Sequence, residues 1–161
     1  MSAELLPEVR YERHATLPDV ALVTLSNPGK LNAVNVAMWR ALRAIFDGLA
    51  EREPTLRCVV VRGEGGTFVS GGDIEEFPAF RFDEARLRDF HENIVAPALD
   101  AMYRCDIPLV AQIERACVGG GLEIACQCDL RIAGLVRERT FRGKPLAGVR
   151  IHRDHFDARA P

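Results

Sequence analysis

Two glycine-rich segments, Gly66–Phe77 and Arg115–Cys126, have the composition and spacing of sites that could carry chemistry. Each places glycines directly before a stretch that could open a helix. Glycine permits a positive φ and leaves no side chain between the backbone and a ligand. The N-terminus of a helix has unpaired N–H groups and a partial positive charge, which attract an anion or a developing oxyanion. The two segments therefore predict backbone donors for a negatively charged oxygen.

Phosphate is the first anion to consider, and the spacing of the glycines argues against it. The phosphate-binding loop of NTPases requires G-x-x-x-x-G-K-[ST], and neither segment has the final Lys-Ser/Thr pair. Neither segment contains the dinucleotide fingerprint G-x-G-x-x-G. We expect instead that one donor from each loop converges on a single oxygen, as in an oxyanion hole. Glycines that serve only turns and close packing are the alternative, and the triplet Gly119–Gly121 favours the oxyanion hole.

Glu123 is the acidic residue best placed to act beside these donors. It lies three residues past Gly120, which is about one helical turn. Helical side chains lean toward the N-terminus, so its carboxylate should point back toward the loop. We expect it to exchange protons with a bound substrate, the alternative being a solvated glutamate on the helix surface.

The surrounding sequence predicts the elements that hold these loops. Apolar or alternating runs predict strands at Val9–His14, Val20–Leu25, Arg57–Arg62, Pro108–Ile113 and Asp129–Ala133. Residues 15–19 between the first two strands predict the turn of a hairpin. Helical spacing predicts helices from near Asn35, from Asp83 to Arg104 with a disturbance at Pro97, and after the glycine triplet. The order is an α/β alternation whose strands look too apolar to face water, with the glycine loops at strand ends, where open α/β folds bind ligands.

Composition excludes several classes of protein. A chain of 161 residues fits one domain, and a net charge of −2 gives no support for nucleic acid or an anionic membrane as a partner. The N-terminus has no apolar run typical of a signal peptide, and no stretch is long enough to span a membrane. The five cysteines suit reduced thiols in a cytoplasmic protein. Cys126 and Cys128 have no second ligand pair at zinc spacing, so we expect small buried residues on a helix and no metal.

Three segments resemble the enoyl-CoA hydratase/isomerase (crotonase) family. Phe68–Ile74 and Ile107–Ala133 are similar to its two signature segments, and Val20–Asn35 is similar to its N-terminal strand and coenzyme A loop. The resemblance extends over residues from about 9 to 135. It implies a spiral of β-β-α units, an acyl-CoA thioester as substrate, no cofactor apart from that coenzyme A, and a homotrimer or hexamer.

The resemblance also implies roles for single residues. The two backbone donors match Gly72 and Gly120, and the catalytic carboxylate of the hydratases matches Glu123. Asp73 is expected to cap the helix after the first loop. The further positions that match substrate-binding segments of the family are Lys30, Ala33, Gly71, Asp73 and Ile74.

The chain departs from the family pattern near its end. Hydratases carry a second carboxylate in a segment like F-G-x-P-E, whereas this chain has Phe141–Leu146 with leucine at the acidic position. The missing acid favours isomerisation, or another reaction through an enolate, over hydration. We therefore divide the chain into a crotonase-like N-terminal core, residues 1–136, and an irregular tail unlike the family, residues 137–161.

The departure leaves a second hypothesis, a catalytically inactive fragment that keeps only the acyl-CoA-binding core. The family's C-terminal helices have no counterpart in this sequence, and the tail is rich in Arg, Ala, His, Asp and Pro. We expect the chain to be the N-terminal part of a longer gene of this type, read out of frame near its end. It should then be marginally stable and prone to associate.

Overall fold

The computed structural model describes residues 6–134 and the backbone of two short strands at 140–141 and 144–145. The strands are β1 (Glu8–Arg13), β2 (Val20–Ser26), β3 (Cys58–Gly63), β4 (Leu109–Ile113), β5 (Leu130–Ala133), β6 (Thr140–Phe141) and β7 (Lys144–Pro145). The helices are α1 (Val36–Phe46), α2 (Leu49–Arg52), α3 (Phe77–Phe80), α4 (Glu84–Phe90), α5 (Ala96–Tyr103) and α6 (Gly120–Gln127), with a 3₁₀ turn at Glu64–Gly66 and a π-helical turn at His91–Val95. No helix of this described part is both long and apolar enough to cross a membrane.

Five strands form one sheet in the order β1-β2-β3-β4-β5. The pair β1 and β2 is the predicted antiparallel hairpin, and the remaining neighbours are parallel. The alternation of burial along β3 matches its central position, with Val59 and Val61 fully buried. Because parallel strands end at the same edge of a sheet, the loops after β2, β3 and β4 lie together at that edge. This topology brings the two glycine loops to one end of the sheet.

Each of the parallel strands β2, β3 and β4 is followed by a short extended segment and then by helix. The extended segments pair with one another through isolated bridges, Val34 with Gly72 and Val69 with Cys117. They form a second layer beside the main sheet, and the unit strand, short strand, helix occurs three times along the chain. The predicted α/β fold, a spiral of β-β-α units, is confirmed.

Helix α1 shows why these elements form where the sequence predicts them. Asn35 has extended backbone, and its side chain accepts a hydrogen bond from the Met38 amide at 2.8 Å, which satisfies one of the unpaired donors of the first turn. Trp39, Leu42 and Phe46 follow at helical spacing and are buried against the sheet and α5. Gly48 then adopts a left-handed conformation and begins the short helix α2, which holds Leu49.

The predicted helix from Asp83 to Arg104 is present but contains a π-helical turn. Asp83 caps α4 by accepting a hydrogen bond from the Arg86 amide at 2.9 Å. The amide of Ala96 bonds to the carbonyl of His91, five residues back. Pro97 follows directly and has no N–H to donate. A π-helical turn accommodates this missing donor and is the predicted disturbance.

Two expectations about the elements are wrong. All four residues of β5 are exposed, so this strand is not buried on either face as its apolar sequence predicted. Among the described strands it lies at the edge of the sheet, and burial is set by what packs on a strand rather than by composition. The second error concerns Asp73, because α3 begins only at Phe77 and its N-cap is Glu76. Asp73 instead accepts a hydrogen bond from the Glu75 amide at 3.2 Å, within a turn.

The interpretation of residues 137–161 concerns a region that is largely outside the described residues. Within it, β6 and β7 pair antiparallel through Thr140 with Pro145 and Phe141 with Lys144. Leu146, the position of the missing acid, and the expected reading-frame change both lie outside the described residues.

Candidate functional site

The glycine triplet at the start of α6 serves three separate structural needs. Gly119 has φ 49° and ψ −122°, a backbone conformation that residues with a Cβ rarely adopt. At Gly120 a Cβ would lie 3.0 Å from Cζ2 of Trp39, and at Gly121 it would lie 2.7 Å from both Cβ and the carbonyl oxygen of Val69. The triplet therefore turns the chain into α6 while keeping the start of that helix close to its neighbours.

The first glycine loop is held by two hydrogen bonds to Val34. The Val34 amide donates to the carbonyl of Gly71 at 2.8 Å, and the Asp73 amide donates to the carbonyl of Val34 at 2.9 Å. The Gly71–Gly72 peptide is trans, as are all peptide bonds that the structure describes. In a trans peptide the N–H points opposite to the C=O, so the N–H of Gly72 points away from Val34.

The N–H of Gly72 points toward the second glycine loop, which lies across the first loop from Val34. Val69 pairs there with the segment before the triplet, since its amide donates to the carbonyl of Ala116 at 2.9 Å and its carbonyl accepts from the Val118 amide at 3.2 Å. Segment 68–72 is therefore the middle of three short strands, with Val34 on one side and Cys117 on the other.

The loops are in contact at their glycines. A Cβ on Gly120 would lie 3.9 Å from the carbonyl carbon of Gly71, and one on Gly119 would lie 3.6 Å from the Cα of Gly71. With ordinary backbone bond lengths, the nitrogens of Gly72 and Gly120 are then within roughly 8 Å of each other. Within residues 6–134 neither N–H donates a hydrogen bond to a protein acceptor. That both point at one oxygen stays a prediction.

The N–H of Gly120 points out of the start of α6. The carbonyl of Gly119, on the same peptide, accepts a hydrogen bond from the Glu123 amide at 3.0 Å and so points along the helix. The N–H on the other side of that peptide faces the opposite way, toward the space before the helix. The helix dipole adds a partial positive charge at this place.

Glu123 lies one turn into α6 and is exposed. Val118 and Leu122, close to it in sequence, also present about half of their surface to solvent. Its carboxylate has no hydrogen-bond or ion-pair partner among residues 6–134. Its catalytic role therefore stays a prediction.

The predicted coenzyme A loop is bound to the first glycine loop through an ion cluster. Nζ of Lys30 lies 2.8 Å from Oδ2 of Asp73 and 2.7 Å from Oε2 of Glu75. Burial alone would raise the pKa of the Asp73 carboxyl, but hydrogen bonds from Lys30, the Glu75 amide and Asn27 outweigh it and hold the pKa below its ordinary value. Of the other three positions predicted to bind substrate, Gly71 lies at the contact between the glycine loops, Ala33 is buried and Ile74 is 72% exposed.

Two buried asparagines in this loop were missed by the sequence reasoning. The side chain of Asn32 accepts from the Asn27 amide at 3.1 Å and donates to the carbonyls of Thr67 and Glu64 at 2.7 and 2.9 Å. The side chain of Asn27 donates to the carbonyl of Ala33 at 2.7 Å. The polar run Ser26–Asn32 shows loop chemistry, but it carries no signal for burial, which comes from partners that are distant in sequence.

A cavity of about 720 Å³ borders the same loop on the side of β1. Its lining includes Glu8, Arg10, Pro28, Leu31 and Glu64. It contains none of the three predicted catalytic residues, so it is distinct from the contact between the glycine loops. We assign no ligand to it.

Among the described residues, no group of three or more His, Cys, Asp or Glu side chains is placed to hold a metal ion. Cys128 is buried, and burial raises the pKa of its thiol to about 12, which makes it unreactive. Cys126 is exposed, so the expectation of a buried residue holds for Cys128 alone.

Comparison with known proteins identifies the family. The Enoyl-CoA hydratase/isomerase family profile matches residues 16–138. The chain is 37% identical over 117 residues to the protein named "Probable enoyl-CoA hydratase EchA14" of Mycobacterium tuberculosis, covering 71% of this chain and 43% of that protein. It is 31% identical over 117 residues to the mitochondrial Delta(3,5)-Delta(2,4)-dienoyl-CoA isomerase of Mus musculus, covering 68% of this chain and 36% of that protein.

Solved structures of proteins with related names have a similar fold. An enoyl-CoA hydratase/carnithine racemase from Magnetospirillum magneticum superposes with a TM-score of 0.71 at 36% identity, over 78% of this chain and 45% of that one. AtuE of Pseudomonas aeruginosa superposes with a TM-score of 0.67 at 30% identity, over 78% of this chain and 47% of that one. The chain thus spans less than half the length of these relatives. It belongs to the enoyl-CoA hydratase/isomerase family.

Proposed function

We propose that the chain binds an acyl-CoA thioester and stabilises negative charge on the thioester oxygen with the backbone N–H groups of Gly72 and Gly120. The observation that carries this proposal is the contact between the two glycine loops, with both N–H groups free of protein acceptors among residues 6–134. A Cβ on Gly120 would meet the ring of Trp39 at 3.0 Å and one on Gly72 the ring of Phe77 at 3.3 Å, so both positions are tightly surrounded. Two donors on one developing oxyanion are worth several kcal/mol, since loss of one such donor typically costs about 3–4 kcal/mol.

The chemistry that follows is the formation of an enolate. Electron density drawn onto the thioester oxygen stabilises the carbanion character at C2, which makes movement of a neighbouring double bond, or addition of water across it, accessible. Glu123 would take up or return the proton, since it follows the donor Gly120 by one helical turn. With leucine at the position of the second acid, we favour isomerisation over hydration.

A spectroscopic assay with a short enoyl-CoA, run beside a binding titration with the same compound, tests the proposal. The informative variant is Glu123→Gln, which removes the charge and keeps the shape of the side chain. We expect it to lose most of the turnover, about a hundred-fold or more, while affinity for the thioester changes little. The matched control is Glu84→Gln, a glutamate whose side chain is 91% exposed on α4, and it should keep the wild-type rate.

The outcomes separate the two hypotheses. Full activity in Glu123→Gln would return this residue to a solvated position on α6. Tight binding without turnover in the wild-type chain would support the inactive acyl-CoA-binding core. Absence of binding would contradict the proposed function.

A further inference from the structure

The ammonium group of Lys30 is held between two carboxylates in this structure. Its ammonium group has three N–H bonds. Nζ lies 3.1 Å from Oδ1 of Asp73, 2.8 Å from Oδ2 of Asp73 and 2.7 Å from Oε2 of Glu75. The two oxygens of Asp73 lie in nearly the same direction from Nζ and share one N–H, so Asp73 and Glu75 together occupy two of the three donors. The cluster of one cation and two carboxylates has a local charge of −1, which repels a phosphate.

The carboxylate that Lys30 holds is buried. The side chain of Asp73 is 5% exposed, while that of Lys30 is 32% exposed. A buried carboxylate is costly unless it is paired and hydrogen-bonded. Without Lys30, Asp73 would keep the Glu75 amide at 3.2 Å and the side chain of Asn27 at 3.4 Å, and neither carries a compensating charge.

The glycine loop beside Asp73 has little stiffness of its own. Gly71 has a φ of 123°, which residues with a Cβ rarely adopt, and the next residue is also a glycine, Gly72. Two adjacent glycines leave the direction of the Gly72 N–H to be set by what surrounds them. Gly71 is held by the hydrogen bond from the Val34 amide to its carbonyl, and Asp73 by its amide bond to Val34 and by its anchored side chain.

The backbone of the Lys30 loop also contacts this segment. The hydroxyl of Ser70 donates to the carbonyl of Lys30 at 3.0 Å, and the Ser70 amide donates to the carbonyl of Leu31 at 3.1 Å. The side chain of Lys30, from the same loop, forms the ion pair with Asp73 three residues further along the segment. The segment from Ser70 to Asp73 is thus held at both ends by one loop.

We propose that Lys30 is a positioning residue, which fixes the direction of the Gly72 N–H through Asp73, and that it is not a ligand for the phosphates of coenzyme A. The inference rests on the proposed function in one respect, which is that the Gly72 N–H donates to the thioester oxygen. The placement of Asp73 by Lys30 can be tested without any ligand, so the two failures are distinguishable.

The first test uses hydrogen exchange of the full 161-residue chain without ligand. The Asp73 amide donates to the carbonyl of Val34, so its exchange rate reports the position of the loop. We expect Lys30→Met to accelerate exchange at Asp73 about ten-fold or more, and Lys30→Arg to restore part of the protection. Arg43→Met removes an exposed ion pair with Asp47 on α1 and should leave Asp73 unchanged. Amides of β3 serve as the folding control.

The second test adds ligand and separates positioning from phosphate binding. Coenzyme A, 3′-dephospho-coenzyme A and acetyl-CoA are titrated while the amide signals of Gly72 and Gly120 are followed by NMR. We expect Lys30→Met to keep its affinity for coenzyme A within about three-fold and to lose the acetyl-dependent shift of Gly72, but not that of Gly120.

Two outcomes overturn the inference. One is unchanged protection of Asp73 in Lys30→Met. The other is a loss of coenzyme A affinity of ten-fold or more that disappears with 3′-dephospho-coenzyme A, which would assign Lys30 to a phosphate. Failure of the wild-type chain to bind any of the three compounds would contradict the proposed function. The hydrogen-exchange test alone would then decide whether Lys30 positions Asp73.

Discussion

At the scale of single residues, adjacent glycines in this chain are needed for different reasons. Gly119 is required by its backbone angles, whereas Gly121 is required by its neighbours. A Cβ at Gly121 would collide with the backbone as well as the side chain of Val69, and backbone cannot move aside cheaply. The two requirements have different consequences for substitution.

We expect Gly121→Ala to destabilise the fold by about 1–3 kcal/mol, although alanine is the better helix former by about 1 kcal/mol. The clash with Val69 outweighs the gain in helix propensity. Urea unfolding followed by circular dichroism measures the change. Gly134→Ala is the control, because its Cβ would meet only ordinary contacts at 3.8 Å and beyond. A variant Gly121→Ala as stable as wild type would contradict the close approach.

The ion cluster at Asp73 predicts a pH dependence at the same scale. The pKa of the Asp73 carboxyl in the folded state lies below its ordinary value of 3.8. The charged carboxyl therefore stabilises the fold fully at pH values above 3.8, and this contribution is lost as the pH falls through the folded-state pKa. We expect Asp73→Asn to be less stable than wild type near neutral pH. The difference should shrink below about pH 4.

Unfolding titrations from about pH 7 to about pH 3 measure this difference. Asp100→Asn is the control, since Asp100 forms an exposed ion pair with Arg104 on α5. It should show a small effect throughout, because exposed pairs contribute little. A difference for Asp73→Asn that stays constant down to the lowest pH would show that its charge does not stabilise the folded state.

At the scale of elements, α1 connects the predicted coenzyme A loop to the core. It begins at the Asn35 cap, directly after the bridge residue Val34 that holds the first glycine loop. Its buried face packs on the sheet and on α5. The start of this helix is therefore part of the support of the site.

We expect Asn35→Ala to cost about 1 kcal/mol of unfolding free energy, because the Met38 amide loses its acceptor. Asn35→Ser, which can cap the same turn, should recover most of that loss. Thermal or urea unfolding measures both. Equal losses in the two variants would mean that the cap is not the reason for the effect.

At the scale of the whole molecule, one edge of the sheet exposes apolar side chains. Leu130 and Ile132 on the edge strand β5 are 60% and 61% exposed and lie on the same face of that strand. Leu122 on the neighbouring α6 is 53% exposed. Exposed apolar edge strands invite pairing with other chains.

We expect the chain to self-associate as its concentration rises, and the double variant Leu130→Lys, Ile132→Lys to associate less at equal concentration. Lysines on an edge strand oppose pairing through charge. Sedimentation velocity measures the distribution of species. Leu17→Lys, at an exposed position in the β1–β2 turn, is the control and should not change association. Equal association of the double variant and the control would exclude β5 as the contact.

The amino-acid sequence by itself determined the elements whose signals are local. The β1–β2 hairpin, the start of α1 near Asn35, the central strands and the disturbance at Pro97 follow from periodicity and turn chemistry within a few neighbouring residues. The sequence also predicted that the two glycine loops follow strand ends. Because the strands are parallel, these loops lie at the same edge of the sheet.

Only the tertiary structure decided the partners of Lys30, the burial of Asn27 and Asn32, the exposure of β5 and the contact between Gly71 and Gly120. Lys30 and Asp73 are 43 residues apart in the chain, and no local pattern encodes such a pairing. Burial of a strand or of a polar side chain depends on which elements pack on it, and that is settled when the whole chain folds.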